Sequence, residues 1–186
     1  MTTKSFLTKT RWLVTIILLL SFGIGRSWGL TVTYTTSSGS PVASGNTIAN
    51  SGSSFSDVTN QSNHTQMLAN GSMTLTLTNL GGISISNITL SMKSNSKAGA
   101  GKLLYSTDGG TNWTYLVGTS NSGVAFNQSA WNNAWSTSYT DISKSVTLSN
   151  VTQLKIKIES TANSLYCQSF TLTYTAGSGG TTYTVI

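Results

Sequence analysis

The chain has 186 residues, of which only 8% are charged, with ten basic residues against four acids. Its single cysteine excludes an internal disulfide, and its single histidine leaves too few ligands for a His/Cys zinc site. The length suits one domain with its own hydrophobic core.

In chain order, residues 1–11 carry Lys4, Lys9 and Arg11 and no acid. Trp12–Gly25 is a nearly unbroken apolar run of 14 residues. A bilayer crossing needs about 20. A basic stretch, a short apolar stretch and small residues before a polar chain predict a cleavable secretory signal peptide, a helical leader over 1–29. Ser27 and Gly29 suit a cut before Leu30, and Gly23 and Gly25 offer a second position. The mature chain is then expected to be secreted or held at the cell surface, with no membrane span after cleavage. Losing Lys4, Lys9, Arg11 and Arg26 leaves six lysines, no arginine and four acids, a net charge of +2. A nucleic-acid partner is set aside, because it calls for a clustered basic face with arginines.

From Leu30 onward the apolar residues alternate with Thr, Ser and Lys. Leu30, Val32 and Tyr34 do so, then Met73, Leu75 and Leu77, then Ile88, Leu90 and Met92. Leu154, Ile156 and Ile158 follow the same rule, as do Phe170, Leu172 and Tyr174. Successive side chains of a strand point to opposite faces, so each run predicts a strand with one buried and one wet face. Shorter candidates are Lys102–Ser106, Trp113–Val117 and Val146–Leu148. The parity slips near Ser86–Asn87 and Gln168–Ser169, where a turn or a β-bulge is expected. Cys167 reads as a small buried strand residue. Residues 30–176 are therefore predicted to form an all-β domain, an antiparallel β-sandwich of jelly-roll type, with a barrel as the alternative. Residues 177–186 (GSGGTTYTVI) read as a linker and the start of a further strand or domain.

Loops divide these strands. Asp57–Gly71 contains His64, and Ser94–Gly101 is a small-residue connection. Ser120–Thr137 is the longest and carries Trp131 and Trp135. Trp131, Trp135 and Tyr139 are four apart, but among so many Asn and Ser this spacing supports at most a single helical turn.

Chemistry is sparse. The acids are Asp57, Asp108, Asp141 and Glu159. His64 comes without a nucleophile-elbow pattern, and Glu159 lies on a wet strand face beside Lys155 and Lys157. A catalytic role is not expected. No organic cofactor is indicated. The hard oxygen donors would suit a structural calcium, although no spaced acidic loop is visible. Nothing assigns an oligomeric state.

Ser106–Trp113 (STDGGTNW) resembles the Asp-box of sialidases and other secreted β-proteins, with Asn112 in place of a threonine. The resemblance implies a structural hairpin. On physical grounds Asp108 would bond to turn N–H groups, the glycines would accept positive φ, and Trp113 would cover the base. More broadly, the Lys/Gly loop, the "YSTDGG-x-x-W" hairpin and the closing "F-x-L-x-Y" strand resemble secreted and surface β-sandwich modules of Bacteroidota. Many of those are similar to carbohydrate-binding modules.

Sugars lay their apolar faces on exposed rings and bond their hydroxyls to amides. Trp131 and Trp135 stand among Asn127, Gln128, Asn132 and Asn133, the chemistry of such a platform. The candidate ligand-binding residues are Trp131, Trp135, Asn132, Asn133 and Tyr139, and the candidate partner is a polysaccharide or cell-surface glycan. Against this, large aromatics in long loops pack back onto the core, and Trp131 is the stronger candidate for that fate. The competing reading is an adhesion or spacer module of a larger surface protein. The two differ in whether Trp131, Trp135 and Tyr139 share one exposed face.

Overall fold

The computed structural model describes residues 29–36, 42–45, 54–56, 59–60 and 65–177. Residues 1–28 of the predicted leader (1–29), Asp57, His64 and residues 178–186 of the trailing segment (177–186) lie outside the described residues.

Alternation produces strands wherever it occurs. The first sheet contains β1 (Leu30–Thr35), β2 (Val42–Gly45), β7 (Ile83–Ser94), β11 (Thr140–Val151) and β13 (Leu165–Thr175) in the order β11-β7-β13-β1-β2. β4 (Thr59–Asn60) and β5 (Thr65–Met67) extend it, with β5 pairing to the start of β13. The second sheet runs β10-β8-β12-β6-β3, comprising β10 (Val124–Ala125), β8 (Ala100–Ser106), β12 (Leu154–Ala162), β6 (Ser72–Leu77) and β3 (Ser54–Ser56). β9 (Thr114–Val117) pairs with β8 beside it. All pairings between these strands are antiparallel. The chain passes repeatedly from one sheet to the other, among other places at β6–β7, β7–β8, β10–β11, β11–β12 and β12–β13, and the described strands form a β-sandwich of jelly-roll type with two open sheets.

The predicted apolar faces meet in the middle. Val32, Tyr34, Ile88, Leu90, Phe170 and Leu172 of the first sheet are fully buried, as are Met73, Leu75, Leu103, Ile156 and Ile158 of the second. Each such side chain contributes roughly 1.5–3 kcal/mol relative to an exposed one. The opposite faces are polar. Thr33 and Thr171, paired across β1 and β13, share a hydroxyl hydrogen bond of 2.8 Å.

Both parity slips are β-bulges. On β7, Asn87 pairs with Thr173 and Ile85 with Tyr174, leaving Ser86 as the extra residue. On β13, Cys167 pairs with Met92 and Ser169 with Ser91, leaving Gln168 extra. The second bulge has its own support in Thr36. Its hydroxyl donates to the carbonyls of Cys167 (2.6 Å) and Gln168 (3.2 Å). Its N–H donates to Gln168 O at 3.0 Å. Cys167 itself is completely buried, as expected of a small strand cysteine, and burial pushes its thiol well up.

Thr36→Val keeps the shape but removes the hydroxyl from buried carbonyls. It is expected to lower the unfolding free energy by about 1–3 kcal/mol in urea melts.

Candidate functional site

The long connection predicted as a loop over Ser120–Thr137 is built more firmly than its composition suggests. It contains β10 and a 3-10 turn over Ser129–Trp131. Phe126 anchors it from below and is fully buried. The ring fits because Gly99 and Gly101 lack side chains. A β-carbon on Gly99 would lie 2.6 Å from the Phe126 ring, and one on Gly101 would lie 2.9 Å from it. The Phe126 N–H donates to Gly99 O at 2.9 Å.

Trp131 packs edge-on against Phe126, with ring centroids 5.3 Å apart at 71°. It is 0% exposed, and its indole N–H donates to Val124 O at 3.0 Å. This corrects the expectation that Trp131 belongs to a ligand platform. Turning inward, the indole buries a large apolar surface and satisfies its one polar group against backbone. Asn132 and Asn133 take left-handed conformations, with φ of 48° and 54°. Their N–H groups close the turn onto Ser129 O and Gln128 O. The Asn132 side-chain amide donates to Asp141 O at 3.0 Å, and Lys144 Nζ donates to Ala130 O at 2.6 Å. Asn132 thus ties the turn to β11, while Asn133 lies exposed beside it. Burial lowers the pKa of Lys144.

Trp135 comes to the surface. Its segment docks on the end of β7: Ser94 N–H donates to Ala134 O at 2.8 Å and Ser136 N–H to Ser94 O at 3.2 Å. Ser94 and Trp135 form an isolated parallel bridge. Ser94 is fully buried, and its hydroxyl donates to Ser96 O (3.3 Å) and Ser164 O (3.2 Å). The Trp135 side of this junction is open. The residue is 38% exposed, and it borders a cavity of about 400 Å³ lined also by Ser94, Asn95, Ser136 and Thr137. Lys97 Nζ stands 4.4 Å from the centroid of the Trp135 ring.

Tyr139 joins this region through neighbours that sequence reasoning missed. The residue after it, Thr140, pairs with Met92, so Tyr139 comes level with Lys93 on the outward side of β7. Lys93 in turn pairs with Tyr166, and Tyr166 with Gln66. Lys93 Nζ lies 5.0 Å from the Tyr139 centroid and 5.5 Å from that of Tyr166. Asn95 Nδ2 donates to the Tyr166 hydroxyl at 3.3 Å, linking the tyrosines to the Trp135 cavity. Burial pushes the Tyr139 hydroxyl up to about 12. The missed residues are Tyr166, Lys93, Asn95 and Lys97. One signal for Tyr166 was present. The slip at Gln168–Ser169 reverses the parity set by Phe170 and Leu172, and so turns Tyr166 outward.

The hairpin predicted over Ser106–Trp113 lies on the other sheet. Asp108 accepts the Asn112 N–H (3.0 and 3.1 Å to its two oxygens), the Asn112 side-chain amide (2.6 Å) and the Ser106 hydroxyl (2.7 Å). Gly109 and Gly110 have φ of 77° and 96°. The Asn112 N–H above all, then the Ser106 hydroxyl and the Asn112 side chain, holds the Asp108 carboxyl well below the usual carboxylate range. Half-buried Trp113 sits beside the hairpin, with Lys157 Nζ 5.7 Å from its ring centroid. Glu159 pairs with Lys157 at 2.7 Å and with Lys102 at 3.8 Å. Among the described residues, no group of three or more His, Cys, Asp or Glu is placed to hold a metal ion. Likewise, no described helix is long and apolar enough to cross a membrane.

No family model and no curated protein matches this sequence. Solved structures do. A family 29 carbohydrate-binding module complexed with mannohexaose is 13% identical with a TM-score of 0.50, over 80% of this chain and 94% of that one. The CBM22-1 xylan-binding domain from Paenibacillus barcinonensis Xyn10C is 15% identical with a TM-score of 0.44, over 78% and 94%. A family two carbohydrate esterase from Cellvibrio japonicus is 9% identical with a TM-score of 0.45, and the match spans 80% of this chain but 36% of the esterase. At such identities the likeness is one of fold. The domain is a jelly-roll β-sandwich of the architecture seen in the family 29 carbohydrate-binding module.

Two outcomes test this geometry. Trp131→Ala is expected to cost about 3–5 kcal/mol in chemical denaturation, as truncation of a buried aromatic does. For Asp108, the hydrogen bonds favour the charged form. The hairpin's contribution is therefore complete above the unfolded aspartate value of about 3.9 and is lost as pH falls through the lower folded value. An NMR carboxylate titration should place Asp108 below that unfolded value, and Asn112→Ala should move it back up.

Proposed function

We propose that this domain is a non-catalytic module that binds polysaccharide outside the cytoplasm, in secreted form or at the cell surface. The observation that carries the reading is Trp135, a ring 38% exposed beside a cavity of about 400 Å³ edged by Ser94, Asn95, Ser136 and Thr137. A sugar's apolar face stacks on such a ring while its hydroxyls bond to the surrounding amide and hydroxyls. The cavity has the size usual for a small-ligand site, roughly 300–1,000 Å³. The leader predicted over residues 1–29 supports export, and the fold shared with a module complexed with mannohexaose agrees with a glycan ligand.

The absence of a catalytic role is part of the proposal. Asp108 is bound into its hairpin and Glu159 into its lysine pairs. Asp108, Asp141 and Glu159 do not line the Trp135 cavity, whereas glycoside hydrolysis needs two carboxyl groups across one substrate.

The test is calorimetric titration of the full chain with mannohexaose, cellohexaose and soluble xylan. Saturable binding to at least one is expected, with a loss of about tenfold or more in Trp135→Ala at unchanged thermal stability. A folded chain that binds no glycan would instead assign the domain to an adhesion or spacer role.

A further inference from the structure

The face around Trp135 carries charge as well as rings. Of the six lysines that follow the predicted leader, Lys93 and Lys97 stand here. Lys97 Nζ lies 4.4 Å from the Trp135 centroid, and Lys93 Nζ lies between Tyr139 and Tyr166 at 5.0 and 5.5 Å. Among the described residues, neither ammonium forms an ion pair with a carboxylate or donates a hydrogen bond to a protein acceptor. Three of the other four lysines differ, while Lys155, on the opposite sheet, likewise forms no ion pair among the described residues. Lys157 and Lys102 hold Glu159, and Lys144 donates to Ala130 O. Asp141 is level with Ser91, two residues along β7 from Lys93, and makes no ion pair with it.

A ring attracts an ammonium through its quadrupole but leaves the three N–H donors unused. Two such cations stand one on each side of Asn95 in sequence, Lys97 against the Trp135 ring and Lys93 against Tyr166, whose hydroxyl Asn95 bonds. An anionic group arriving with a ligand would take those donors in charge-assisted hydrogen bonds, the strongest kind on offer here. A neutral sugar would leave them to water. We propose that this face takes a polysaccharide whose sugars carry an anionic group, a carboxylate or a sulfate ester, with Lys93 and Lys97 binding the anion beside the ring that stacks on Trp135. This rests on the carbohydrate-binding reading above and names its substrate class. Because both lysines are at the surface, their contribution should fall as salt screens it.

The experiment is calorimetry on the full chain with polygalacturonate, dextran sulfate and neutral glucomannan, at low and at raised sodium chloride. The variants are Lys93→Met with Lys97→Met, which keeps the apolar stems, and Lys102→Met with Lys155→Met on the opposite sheet as control. At least one polyanion should bind more tightly than glucomannan. The site variant should lose about tenfold or more toward that polyanion, and the control should stay within about twofold. The polyanion preferred tells carboxylate from sulfate, and either supports the proposal. An equal loss in the control would show diffuse attraction to a basic chain and overturn it. Glucomannan binding as tightly as the polyanions, lost in Trp135→Ala but not in the lysine variant, would overturn the charge assignment and leave the carbohydrate reading standing. Binding to none of the three overturns both.

Discussion

Strand β13 pairs with β7 along one edge and with β1 and β5 along the other, so the direction in which its side chains point governs both faces of the first sheet. From Phe170 to Tyr174 the even-numbered residues point into the core. Continued without interruption, that rule would bury Tyr166 and expose Cys167. The extra residue Gln168 reverses it. Leu165 and Cys167 enter the core at 0% exposure, and Tyr166 emerges opposite Lys93. A bulge leaves backbone groups out of the ladder, and buried carbonyls without donors are costly. Thr36, immediately after β1, supplies those donors to Cys167 O and Gln168 O. One threonine at a strand end thus sustains the geometry that puts a tyrosine on the outer surface.

The same economy divides the two loop tryptophans. Phe126 fills the space left by Gly99 and Gly101, and Trp131 closes over it with its N–H satisfied by Val124 O. Past that plug, residues 134–136 run along the end of β7, where Ser94 holds them from both sides through backbone bonds. Trp135 then leaves the sandwich and faces solvent. The buried Trp131 therefore serves the site indirectly, as the support on which the exposed ring is carried.

Charge is distributed with little redundancy. Asp108 is consumed by the hairpin turn and Glu159 by Lys157 and Lys102, all on the second sheet. On the first sheet Lys93 and Lys97 are held by aromatic faces alone. The carboxylate of Glu159 thus faces lysines on the second sheet, while Lys93 and Lys97 lie against aromatic rings at the end of the first.

Much of the fold was legible because a strand's period of two is a local property. Val32 and Tyr34, Met73 and Leu75, or Ile156 and Ile158 declare their face without reference to anything distant, and a slip in the rule at Ser86 or Gln168 declares a bulge. The turn at Asp108–Asn112 was legible for a similar reason, since donor and acceptor lie within five residues. The site was less so. Trp131 and Trp135 lie in a segment with no period, where exposure depends on what packs against each ring. Here that was decided by two glycines and a phenylalanine some thirty residues upstream or nearby. The meeting of Trp135, Asn95, Lys93, Tyr139 and Tyr166 joins three separate stretches of chain. Local sequence sets which side of a strand a residue takes; only long-range pairing, which pays chain entropy to bring distant strands together, sets which residues become neighbours.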